Sequence, residues 1–179
     1  GLPASGAMME NPWAMLASEN DQLDRETFYT TALTAVGVLE PGESPSSPRM
    51  IDQCGAMAMA SIHYAYDQFR NFGHQPPHAF ADIWEDYTAL LADYPSDRVH
   101  QRIHMGHNCW VVPDELKFLT PAIMQRTCLI GTQDQVLDRL HELHQAGLNQ
   151  VMNLPNFDTR FEVLKDVAAR IIQPINSWR

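Results

Sequence analysis

Residues 129–154 constrain the fold more than any other stretch, because they carry a structural signal at every joint. Thr132 followed by Gln135 three residues later is a capping-box pair. Val136, Leu137, Leu140, Leu143 and Ala146 recur at helical spacing on one face, with Asp138, Arg139 and Glu142 off it. Gly147 supplies the left-handed residue that ends the helix, and residues 150–154 form a short apolar run stopped by Pro155. The pattern predicts loop, helix, tight turn and strand. A strand reached by so short a return belongs to a parallel sheet covered by helices, so the fold class is α/β.

Composition narrows the options further. A chain of 179 residues buries one sizeable core, which predicts a single domain over residues 1–179. A hydrophobic fraction of 45% argues against disorder as its main character. With 22 acidic against 12 basic residues the net charge is −10, which argues against nucleic acid or an anionic membrane as partner, since both need a basic footprint. No apolar run approaches the ~20 residues of a membrane span, and no signal-peptide pattern opens the chain. Cys54, Cys109 and Cys128 are widely spaced and odd in number, which predicts free thiols in a cytoplasmic protein.

The run Leu129-Ile-Gly-Thr132, with Val136, Arg139-Leu140, Leu143, Ala146-Gly-Leu148 and Gln150-Val-Met152, resembles the C-terminal βα unit of the bacterial-luciferase-like family. That family comprises flavin- and deazaflavin-dependent oxidoreductases built on a TIM barrel. The resemblance is close over 129–154 and looser over most of the chain. It implies the C-terminal portion of a TIM (β/α)8 barrel, acting with reduced FMN and oxygen, or with F420 by hydride transfer, on a small organic substrate. Such a barrel takes ~250 residues and rarely fewer than ~200. The chain also opens at Gly1 without a methionine, so the expectation is the C-terminal part of a longer protein, with the main phosphate ligands upstream. Within the resemblance, the Gly1-Leu-Pro opening leads into the sixth barrel strand, which would put Gly6, Ala7 and Met8 against the flavin ring. Residues 27–39 and 150–154 would be the last two strands.

Between these landmarks the sequence predicts a short helix over 18–26. An uncharged strand follows over 27–39, rich in β-branched and aromatic residues. A Pro/Ser-rich loop then carries Glu43, read either as a site residue or as a solvated carboxylate. Ser47-Pro48 starts a helix to about Phe72, with Met50, Cys54, Met57, Ala58, Ser61, Ala65, Phe69 and Phe72 on one stripe. His63 and Asp67, one turn apart on it, read as a surface pair. A second helix places Phe80, Ile83, Trp84, Tyr87, Leu90 and Leu91 on its apolar face. The aromatic and Met surface of these helices suits a dimer face. The closing helix is predicted to be capped by Asp158, to bury Phe161, Leu164, Val167, Ala168 and Ile171, and to end at Pro174.

The chemistry concentrates in residues 98–110. His100, His104 and His107 with Cys109 suggest a metal-dependent hydrolase, although Gly106 interrupts the helix and no acidic ligand stands at a motif spacing. His104-Met-Gly-His-Asn108 is similar to a His-x-Gly-His loop on the cofactor side of some luciferase-like oxidoreductases. That similarity implies that His107 and His104 hydrogen-bond a substrate carbonyl or the reduced flavin, or shuttle a proton. Capping of loop carbonyls by the same imidazoles is the structural alternative. Gly131 and Thr132 open a helix N-terminus, which suits a cofactor phosphate. A further alternative is a non-catalytic α/β fragment held by self-association, because a few parallel strands leave exposed edges.

Overall fold

A computed structural model describes residues 10–20 and 22–176. Gly6, Ala7 and Met8 lie outside the described residues. The elements are α1 (Glu10–Glu19), β1 (Thr31–Thr34), β2 (Val36–Val38), α2 (Pro48–Phe72), α3 (Trp84–Ala92), α4 (Val99–Ile103), α5 (Pro121–Thr127), β3 (Leu129–Gly131), α6 (Gln133–Gln145), β4 (Gln150–Asn153) and α7 (Arg160–Val167), with short 3-10 turns between them. Every strand pairing is parallel: β1 with β4 from Thr31 opposite Gln150, and β2 with β3 from Val36 opposite Leu129. The chain is therefore α/β with short parallel strands, as its helix–glycine–strand unit predicts. Among the described residues no helix is long and apolar enough to cross a membrane.

The expected single strand over 27–39 is two short ones, β1 and β2, on either side of Ala35. Thr30 and Thr34 offer their carbonyls to Gln150 and Leu154, whereas the Ala35 carbonyl accepts from Leu129 and Leu39 donates to Gly131. Even-numbered backbone groups thus bond towards β4 and odd-numbered ones towards β3, which makes two separate two-stranded sheets, β1 with β4 and β2 with β3. Leu129–Gly131, expected as loop, is drawn into strand geometry by this pairing. The Asn153 side chain continues the β4 side by accepting from the Val36 N–H at 3.0 Å.

From Thr132 onward the 129–154 unit folds as expected. Thr132 and Gln135 form a complete capping box, and Gly147 takes a φ of +99° just beyond α6. The helix expected at 18–26 instead occupies Glu10–Glu19. Asn20 and Asp24 side chains accept the N–H groups of Gln22 and Glu26, local bonds that favour turns over helix. Helix α1 is anchored by Trp13, which is buried and donates to Ala146 O at 3.4 Å.

Helix α2 starts and stops at the predicted caps, Ser47 and Gly73. In its middle it is buried nearly all round, with Gln53, Met59, Ile62 and His63 enclosed as well as Met50, Cys54, Met57, Ala58 and Ala65 of the expected stripe; Phe69 and Phe72, expected on that stripe, are exposed. It runs through the main core between β2, α5 and the α3 segment. The apolar face of the second helix holds as predicted for Phe80, Ile83, Tyr87 and Leu91.

The closing helix departs from expectation. It buries Val163, Val167 and Ile171, while Phe161, Leu164 and Ala168 are exposed. Arg160 lies over the Phe157 and Phe161 rings and keeps both on the solvent side. Asp158 is not its cap, and Thr159 bonds Asp52 O with its hydroxyl instead. Nor does Pro174 terminate it. The backbone widens into a π turn over Ala168–Ile172, Gln173 N–H reaching Ala168 O, and helix continues past the proline.

Candidate functional site

The most heavily polar part of the interior sits where α2, α3, α4 and the 3-10 turn Pro113–Phe118 meet. His63, from the buried middle of α2, brings Nε2 to 3.1 Å from Glu115 Oε1. Arg102 Nη1 donates to the same oxygen at 3.0 Å, and its Nη2 donates to Asp114. Arg102 also lies 5.5 Å from the centre of the Tyr94 ring. His63, Arg102 and Glu115 are all buried, and a buried charge persists only when it is paired in this way. Tyr87 is buried beside them, its ring stacked 6.4 Å from that of His63. Burial pushes the Tyr87 phenol well up, and the Glu115 charge adds to that. His63 Nδ1, Glu115 Oε2 and Tyr87 OH are buried atoms with no hydrogen-bond partner.

The pairing expected for His63 and Asp67 does not form. The crowding around α2 takes His63 inside to Glu115, while Asp67 meets His104 at 3.5 Å.

After α4 the chain turns tightly. Gly106 adopts φ +71° and its carbonyl accepts the N–H groups of Cys109 and Trp110. Asn108 follows at φ +57°, a conformation uncommon outside glycine, with Oδ1 buried and without a partner. This turn brings the expected histidines together. His104 and His107 meet edge to face at 5.2 Å, and His107 stacks at 6.0 Å on His63. Burial holds the His107 imidazole below its ordinary value, and His63 and His104 push in the same direction against Asp67. At neutral pH His107 is therefore uncharged and able to accept a proton or a hydrogen bond.

His107 and Asn108 open onto a groove of about 740 Å³. Its floor is the α2 stripe of Met57, Ala60, Ser61 and Ala65, and Phe80 and Arg126 stand at its sides. A second groove, of about 770 Å³, separates α6, the outer side of β4 and the closing helix, with Leu140, Val151, Leu164 and Ile171 along it.

The metal reading is corrected. Among the described residues no three His, Cys, Asp or Glu side chains stand close enough to hold a metal ion. Helix α4 ends at Ile103, so His100 remains on its exposed face while His104 turns away to Asp67. Gly131 and Thr132 do lie at a helix N-terminus, but they do not border the groove that holds His107. Gln135 Oε1 takes the Thr132 N–H at 2.9 Å, and a Cβ on Gly131 would come within 2.9 Å of the Gln135 side chain. That end of α6 is occupied by its own cap and does not fit a cofactor phosphate.

Glu43 is neither free nor solvated. It accepts from Ser47 Oγ at 2.6 Å, from Glu40 N at 2.9 Å, and from Arg49 Nε at 3.0 Å and Arg49 Nη2. The Arg49 hydrogen bond, more than any other influence, lowers its carboxyl to about 2. It latches the loop onto the first turn of α2.

Sequence reasoning missed Arg102, Glu115, Tyr87 and Asn108. Arg102 carried a signal, since it shares a helical face with Val99 and Ile103, both buried. Glu115 lies in a 3-10 turn whose sequence has no periodicity to read. Comparison with protein-family models, with curated proteins and with solved structures finds no match to this chain.

Proposed function

We propose that the chain is the C-terminal part of a flavin-dependent oxidoreductase of the luciferase-like class, on a barrel scaffold. It would act with reduced FMN and oxygen, or with F420, on a small organic substrate. The observation that carries the reading is the 129–154 unit, with its capping box, its left-handed Gly147 and a strand that pairs in parallel. His107 supports it by standing uncharged on a groove of substrate size. The flavin or deazaflavin, when bound, supplies the redox chemistry. The chain's own part is to bind the substrate and to accept or return a proton at His107. A cofactor phosphate would need residues other than Gly131 and Thr132. A closed barrel sets consecutive strands side by side, whereas here β1 pairs with β4 and β2 with β3, so the barrel assignment has that arrangement to meet. A cytoplasmic location belongs to the same reading.

The test is titration of the product of the complete reading frame with FMN and with F420, followed by absorbance. Saturable binding of one of them near one equivalent is the expected result. Binding of neither ends the proposal.

A second reading, a non-catalytic α/β chain held by self-association, is favoured by the exposure of Tyr29, Met152, Phe157, Phe161 and Leu164. Sedimentation velocity decides it: a dimer without chromophore supports this reading, and a monomer across the concentration range removes it.

A further inference from the structure

The groove beside His107 has a chemistry of its own. Its apolar lining comes from α2, which contributes the buried Met57, Ala60 and Ala65 beside the exposed Tyr64, and from Phe80. Its polar lining includes Arg126, His107 and Asn108, and among the described residues that line it there is no aspartate or glutamate. That is unusual in a chain of net charge −10. Arg126 Nη1 engages Ala79 O at 3.0 Å and Asp82 at 3.6 Å, and the side chain remains 45% exposed at the rim. Asn108 Oδ1 is an acceptor without a partner.

We propose that this groove binds a small carboxylic acid with a flat apolar body, the body lying on Met57, Ala60 and Ala65 and the carboxylate at Arg126. No carboxylate lines the groove itself, and Asp82 beside Arg126 meets only Nη1, so the rest of the guanidinium is left to fix the head group by charge-assisted hydrogen bonds. This deepens the oxidoreductase reading by naming its substrate class.

The experiment uses the 179-residue chain without any flavin and 2-naphthoic acid as the probe, with 2-naphthamide as its uncharged counterpart, by isothermal titration calorimetry. The acid is expected to bind at one site about tenfold more tightly than the amide, the size of one charge-assisted hydrogen bond. Arg126→Gln, on an exposed side chain, should erase that preference and leave amide binding unchanged. Ser61→Trp, which fills the floor, should abolish binding of both, while Ile172→Glu in the other groove should leave both intact. Circular dichroism confirms that each variant is folded. Equal affinity for acid and amide, no effect of Arg126→Gln, loss of binding on Ile172→Glu, or no saturable binding at all would each overturn the proposal. Because no cofactor is present, such a failure leaves flavin binding untouched, and a failure of flavin binding leaves the groove result standing.

Discussion

His63 Nε2 and Glu115 Oε1 lie 3.1 Å apart, 52 residues apart in the chain and both buried, and Arg102 donates to the same carboxylate oxygen. One carboxylate thus ties α2, α4 and the 3-10 turn together. Removing it leaves the Arg102 guanidinium with only the part-exposed Asp114 as counter-charge and His63 Nε2 without its partner. Glu115→Ala is expected to destabilise the fold by about 3 kcal/mol, the low end of the cost of breaking a buried pair, because Asp114 remains. Glu115→Gln keeps the volume and an acceptor, so it should cost less. Urea denaturation measures both, and a loss below about 1 kcal/mol for the alanine variant would refute the argument.

The Glu43–Arg49 latch makes a pH prediction. The folded carboxyl is lowered from 4.5 to about 2, first by the Arg49 hydrogen bond. A folded value below the unfolded one means stability that is fully present above pH 4.5 and lost as pH falls from 4.5 towards 2. The Arg49 side chain is 36% exposed, and solvent screening keeps the contribution near 1 kcal/mol. Glu43→Gln should therefore be less stable than the parent at pH 7, and the gap should close on acidification. A gap that persists at pH 2 would exclude the latch.

Two glycines with similar backbones should respond differently. A Cβ on Gly106 would meet Trp110 O at 2.6 Å, whereas one on Gly42 would meet nothing within 4 Å, and both have positive φ. Gly42→Ala should cost about 1 kcal/mol, the left-handed penalty alone. Gly106→Ala should cost about 3 kcal/mol, since steric overlap adds to that penalty, and it should disturb the His104–His107 contact. Equal melting temperatures for the two variants would count against the packing described for Trp110.

His107→Ala should separate activity from stability. The ring is largely solvent-facing and makes stacking contacts without a buried ion pair, so the melting temperature should move little. On the proposed function, turnover should fall by roughly 10²-fold, a typical general acid–base contribution. An unchanged rate in the complete enzyme would remove His107 from the site.

Local rules made much of this molecule legible in advance. The Thr132–Gln135 box, the Ser47 and Gly73 ends of α2 and the Gly147 turn depend on groups within a few residues of one another, so their chemistry is written in adjacent letters. The same holds for the turn at Gly106 that brings His104 to His107. The expectation for Phe161 and Leu164 failed because two stripes of one amphipathic helix differ only in what packs against them, and Val163, Val167 and Ile171 met β2 and α6.

The sequence by itself determined both ends of α2 and of α6, the strand at 150–153, the acidic charge balance and the α/β class. Only the tertiary structure decided that β1 pairs with β4 and β2 with β3, and that His63 turns inward to Glu115 while Asp67 takes His104. The reason is that strand order, buried ion pairing and groove formation are set by groups far apart in the chain. Such contacts arise by matching charge and volume across the core, and no local spacing encodes them.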